Sequence, residues 1–178
     1  MNWDTVATSA SVATAFSTFI SGAIALIYYK KQRQVDYMYD YRKHILEKRK
    51  DAYGLVEEII SQITVRRFIP NTNKPLPGFI DVKGRSFHIF NEKIIKCLAL
   101  GFWLSDDMCG HLKKLNSTIF ELGQEVDRMG DTDEIELAVA ADSYSLIKNI
   151  KEPITKTYFV DICGLDNIEQ FKQKRIFY

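Results

Sequence analysis

Residues 5 to 29, TVATSASVATAFSTFISGAIALIYY, carry no charged side chain, and eight of the twenty-five are Ser or Thr. This stretch constrains the chain more than any other, because a long uncharged helix has few environments open to it. At about 1.5 Å per residue it would reach about 37 Å, against a hydrocarbon core of about 30 Å. A surface helix would carry charge along one side. A cleaved leader would open on basic residues, whereas this chain opens Met1-Asn2-Trp3-Asp4 and places Lys30, Lys31 and Arg33 after the run. The stretch therefore predicts a transmembrane helix. The positive-inside rule puts the short tail outside and the remainder in the cytoplasm, with Trp3, Tyr28 and Tyr29 at the interfaces and Lys30, Lys31 and Arg33 at lipid headgroups.

The hydroxyls of this stretch fall on one side of a helix. Thr14, Ser17, Thr18, Ser21 and Gly22 form small-x-x-x-small pairs opposite Phe16, Phe19, Ile20, Ala23 and Ile27. In lipid such a face favours another helix, so the expectation is a homo-oligomer. A pore lined by Thr14, Ser17, Thr18 and Ser21 is the sharper form of that idea. Bonding of the hydroxyls to their own helix carbonyls is the plainer one.

A long juxtamembrane helix over 30–69 follows, since no Pro occurs between Tyr29 and Pro70. Val35, Met38, Ile45, Ala52, Val56, Ile59 and Ile63 trace a core-facing stripe along it. Arg42, Lys43, Lys48, Arg49 and Lys50 form a basic group beyond the reach of the membrane surface potential. It suits an acidic protein partner or a nucleotide phosphate, with Tyr37, Tyr39 and Tyr41 near enough to stack on a base. The plainer reading of these charges is a solvated face.

The segment PNTNKPLPG and Gly84 predict a loop over 70–90, and the rest, 91–178, reads as a helical bundle. Ser105 with Asp106 and Asp107 marks a helix start, and Met108, Leu112, Leu115, Ile119, Leu122 and Val126 give that helix one apolar face. Gly130 ends it, Asp131 or Thr132 opens a helix to about Ile150, Pro153 opens another, and DNIEQFKQK forms a last short one. No segment alternates with period two. The fold class is thus all-α, an N-terminal transmembrane helix continuing into a long helix and a cytoplasmic bundle.

Composition and motifs bound the chemistry. A net charge of +1 over 178 residues speaks against a strongly basic nucleic-acid-binding domain, and no double-stranded nucleic acid is expected. Cys97, Cys109 and Cys163 lack metal-ligand spacing and read as reduced thiols. Cys109-Gly110-His111 offers two ligands without a completing pair, so no metal is expected. Asp161, Cys163 and Asp166 make no nucleophile–base set, and no P-loop or GxGxxG occurs. Neither cofactor nor enzyme activity is expected.

The order of parts, with the charged helix YRKHILEKRKDAYGLVEEII and the segment FWLSDDMCGHLKKLN, resembles small bacterial single-span membrane proteins with a cytoplasmic helical domain. Some of these are membrane effectors of antiviral defence that sense a signal, in some cases a cyclic oligonucleotide. The resemblance implies a self-associating inner-membrane protein whose helical domain receives a signal or partner. A membrane-tethered adaptor or scaffold is the alternative, and a tethered enzyme is a third.

Overall fold

The computed structural model describes residues 3–69, 73–81 and 85–165, with side chains from residue 17 onward. Four α-helices carry the fold: α1 (Trp3–Thr64), α2 (Ser86–Ala99), α3 (Asp106–Met129) and α4 (Asp133–Cys163). Between α1 and α2 lies a two-stranded antiparallel hairpin, β1 (Arg66–Phe68) and β2 (Pro75–Pro77), and one turn of 3₁₀ helix, Gly101–Trp103, joins α2 to α3. The chain divides into two compact units, Met1–His44 and Ile45–Tyr178.

In the first unit every described side chain, from Ser17 through His44, is exposed. Here the reading of residues 5–29 as a membrane span is corrected. Positions 5–16 of that stretch, Thr14 among them, lie outside the described side chains. Among the described residues no helix is long and apolar enough to cross a membrane. The single-span topology and the bacterial inner-membrane location drawn from it have no support in the structure. The headgroup role of Lys30, Lys31 and Arg33 and the expected lipid bilayer partner lose their basis too.

The second unit is a helical bundle around one core. Along α1 the buried positions are Ile45, Arg49, Ala52, Tyr53, Val56, Ile59 and Ile63, a spacing of three or four that keeps one helix face on the core. The helix α3 packs between α2 and α4, and α4 also packs against β2. Met108, Leu112, Leu115, Ile119 and Val126 of α3 are buried as their spacing predicts.

Helix ends follow from local chemistry. Ser105 caps α3 by accepting a hydrogen bond from the Met108 N–H at 3.1 Å, with Asp106 and Asp107 in the positive first turn. Gly130, at φ 122°, ends α3, and Thr132 caps α4 through the Ile135 N–H. The start of α2 is different: its N-cap is Arg85, left-handed at φ 59° and without a side-chain cap. Glu136 of α4, only 3 % exposed, reaches across and accepts from the Phe87 N–H at 3.2 Å. A carboxylate borrowed from another helix thus satisfies an orphan donor and faces the positive end of α2.

Two local expectations are corrected, and a third falls outside the described residues. Residues 66–77, read as the end of a helix and a loop, hold the hairpin, with Arg66 opposite Pro77 and Phe68 opposite Pro75. Prolines cannot donate to a ladder, which suits a ribbon of only two short strands. Pro153 does not begin a helix; it lies inside α4, which runs unbroken from Asp133 to Cys163. The expected last helix, DNIEQFKQK, lies outside the described residues from Asp166 onward.

The hairpin is tied down tightly. A Cβ on Gly78 would lie 2.7 Å from both the Gln62 carbonyl oxygen and the Val65 Cβ, so only glycine lets the chain pass the end of α1 this closely. Phe79, next in sequence, stacks on Phe90 at 4.2 Å between centroids and meets the edge of Phe87.

Candidate functional site

Two polar constellations in the second unit hold the chemistry. The first joins three elements. The Tyr53 hydroxyl of α1 and the Ser105 hydroxyl each donate to Asp161 Oδ2 of α4 at 2.6 Å. The Ser105 N–H donates to the Tyr53 oxygen at 3.1 Å, and Arg49 Nη1 donates to the Leu165 carbonyl at 2.7 Å just beyond α4. Burial, followed by the hydrogen bond to Asp161, pushes the Tyr53 phenol up to about 12. A serine, a carboxylate and a shifted tyrosine invite a catalytic reading, but the bonds run the other way. The serine oxygen is engaged by the Met108 N–H as a helix cap. The whole arrangement fastens α1 to the start of α3 and the end of α4.

The second constellation is a cavity of about 290 Å³ lined by Ile63 and Thr64 at the end of α1, Arg66 of β1, Pro77 of β2, and Tyr144, Ile147, Lys148 and Lys151 of α4. Its geometry follows from the fold. The helix α1 stops at Thr64, so β1 begins within two residues and carries Arg66 to the rim. Tyr144, Lys148 and Lys151 are spaced by four and three along α4 and share one helix face. Ile63, Pro77 and Ile147 supply an apolar floor. Three cations thus line one concavity and no carboxylate does. Among the described residues Arg66, Lys148 and Lys151 make no ion pair, whereas Lys156, one turn beyond Lys151, is held by Glu152 at 2.9 Å. Glu152, lowered first by its hydrogen bond to Lys156 and more weakly by the charge of Lys148, stands outside the cavity lining. Three cations in a lining without a carboxylate, over an apolar floor, make a site for an anion.

The residues singled out from sequence lie elsewhere. Ser17, Thr18, Ser21 and Gly22 are exposed, and no atom comes within 4 Å of a Cβ built on Gly22. The argument for oligomerisation through them needed a lipid environment, and without a span that premise is gone; neither self-association nor a pore is supported. Lys30, Lys31 and Arg33 are exposed, with the Arg33 guanidinium 5.7 Å from the Tyr29 ring centroid. The basic group is not one surface: Arg42, Lys43, Lys48 and Lys50 are exposed, but Arg49 is 5 % exposed and committed to Leu165. A nucleotide or acidic partner across that group is corrected for this reason. The tyrosines beside it stack on each other, Tyr37 on Tyr41 at 6.5 Å.

Sequence reasoning missed Arg66, Tyr144, Lys148 and Lys151. The one available signal was Tyr144-x-x-x-Lys148-x-x-Lys151 on a single helix face, and it gave no hint of Arg66. Among the described residues no group of three or more His, Cys, Asp or Glu is placed to hold a metal.

No protein-family model, no curated protein and no solved structure matches this chain. The resemblance to single-span bacterial effectors is thereby overturned. Membrane tethering, signal sensing and an antiviral role, and with them the tethered adaptor, have no support, and what stands among the described residues is a bundle of four helices with one short hairpin.

Proposed function

We propose that the Ile45–Tyr178 unit works by reversible binding of a small anion in the cavity between the end of α1, the hairpin and α4, without covalent catalysis. The observation that carries this is the set Arg66, Lys148 and Lys151 around one concavity whose lining holds no carboxylate. Like charges gathered around one concavity repel one another, and an anion seated among them relieves that repulsion. The reading as a binder rather than an enzyme is supported by the Tyr53–Ser105–Asp161 cluster, whose hydroxyls are spent on a helix cap and a carboxylate.

Titration of the isotope-labelled full chain with inorganic phosphate at constant ionic strength tests this. Saturable amide shifts centred on Thr64, Arg66, Tyr144 and Lys148 are expected. Shifts that rise without saturating, or that scatter over α3, would mean general salt effects and would sink the proposal.

A further inference from the structure

The same cavity specifies the class of its ligand, and this step rests on the anion-binding reading above. We infer that the ligand is a small phosphate monoester, a doubly charged head joined to a short apolar body. The head follows from charge. Two lysine ammoniums on α4 act as point charges, and Arg66 from the hairpin presents a planar fork suited to two oxygens of one phosphate. Three positive groups exceed what a single carboxylate neutralises and match a phosphate, which carries about −1.5 to −2 at neutral pH.

The body follows from the floor. Ile63, Pro77 and Ile147 are apolar, and the half-buried Tyr144 ring adds a flat wall. A cavity of about 290 Å³ has room for about ten water-sized atoms. Phosphate takes five of them, leaving space for a body of about the same size. Binding would join β1 to α4 through the ligand, since the cations come from both.

The experiment uses three probes on the full chain: phenyl phosphate, inorganic phosphate and benzoate, at pH 7.5 and fixed ionic strength. Residue-resolved saturation is the readout, because phosphate and sulfate stabilise folded proteins generally and a thermal shift alone would mislead. Phenyl phosphate is expected to bind several-fold more tightly than inorganic phosphate, and benzoate most weakly. Arg66→Gln and, separately, Lys148→Gln should each weaken both phosphates by about tenfold, the loss of one charge-assisted contact. Tyr144→Ser should weaken phenyl phosphate alone. Lys113→Gln, on the exposed face of α3, should change nothing. Both cavity substitutions are at exposed positions, so the fold is retained.

Each contrary result has its own meaning. Benzoate binding as tightly as phenyl phosphate would overturn the doubly charged head while leaving the anion site in place. Equal affinities for the two phosphates would overturn the apolar body. Affinities untouched by both cavity substitutions would overturn the assignment to this cavity. Absence of saturation with all three probes would remove the proposed function itself.

Discussion

The two stretches of α1, residues 17–44 and 45–64, belong to one helix and carry similar apolar content, yet their side chains have opposite fates. Phe19 is 79 % exposed and Val35 60 %, whereas Ile59 is 2 % exposed and Val56 fully buried. Both stretches hold apolar residues at helical spacing, so periodicity alone does not separate them. What differs is the company. Beyond Ile45 the face shares one core cluster with Phe90 and Ile94 of α2, Leu115 of α3 and Ile154 of α4. Hydrophobic periodicity is thus a statement about what a helix is able to bury, and the rest of the chain decides whether it does.

The largest test of that contrast is a pair of truncations. Ile59→Ala should cost about 2–5 kcal/mol, the range for emptying a packed aliphatic site. Val35→Ala should change stability by less than about 0.5 kcal/mol, as exposed positions do. Urea unfolding followed by far-ultraviolet circular dichroism measures both. Similar losses at the two positions would mean that residues 17–44 bury their apolar side chains in solution, and the comparison would collapse.

Charge sharpens the same contrast. Arg49 points inward and donates to the Leu165 carbonyl, while Lys48, its neighbour, is exposed. Arg49→Met keeps much of the aliphatic stem but leaves that carbonyl without this donor, an expected loss of about 2 kcal/mol. Lys48→Met should be nearly neutral. Chemical denaturation of the two variants side by side decides it, and equal effects would show that the arginine contributes nothing beyond its stem.

What was legible in the sequence, and what was not, divides along similar lines. The α3 helix was readable to its caps, because Ser105, Asp106, Asp107 and Gly130 act on backbone groups within a few residues of themselves. The single α4 was not, since Pro153 is a strong local breaker that tertiary packing overrides. The hairpin escaped notice because three-residue strands are too short to show alternation. Arg49 was grouped with the surface cations offered to an anion or acidic partner because its acceptor lies more than a hundred residues away. Glu136 capping α2 is the same kind of long-range fact. The cavity assembles Arg66 with Lys148 and Lys151 only through the packing of the hairpin on α4, and nothing local announces it.

The tyrosines carry the contrast into pH. Tyr39 is exposed, but Tyr53 is buried, bonded to Asp161 and pushed up to about 12 from 10.0, by burial first. An unfolded chain releases that proton near pH 10 while the folded one keeps it. Its contribution is therefore complete below about pH 10 and lost as pH rises toward 12. Cys97, pushed up to about 12 from 9.0 by burial, adds a loss that begins earlier. Tyr53→Phe should cost about 1–2 kcal/mol at neutral pH through the lost hydrogen bonds, and should flatten the stability profile above pH 10 while leaving the part from Cys97. Tyr39→Phe, at an exposed position, should cost less than about 0.5 kcal/mol at neutral pH. Unfolding free energies at pH 8, 9.5 and 11 read out the difference, and an unchanged slope in Tyr53→Phe would show that the phenol titrates normally.

The smallest effect runs in the stabilising direction. Gly54 and Gly22 both lie inside α1, and at neither does an added Cβ meet an atom within 4 Å. Alanine in place of a helical glycine gains about 0.5–1 kcal/mol, chiefly by narrowing the unfolded chain. At Gly54 the flanking Tyr53 and Val56 are core residues, so the gain should appear in global unfolding, as a rise of about 2–4 °C in Tm. At Gly22 the neighbours are exposed, and local opening there need not involve the core at all. The expected sign of Gly22→Ala is slower amide exchange over the adjacent turns with an unchanged Tm. A Tm that rises equally in both variants would show the two stretches unfolding as one cooperative body, and would make the exposed half of the helix part of the stability of the buried half.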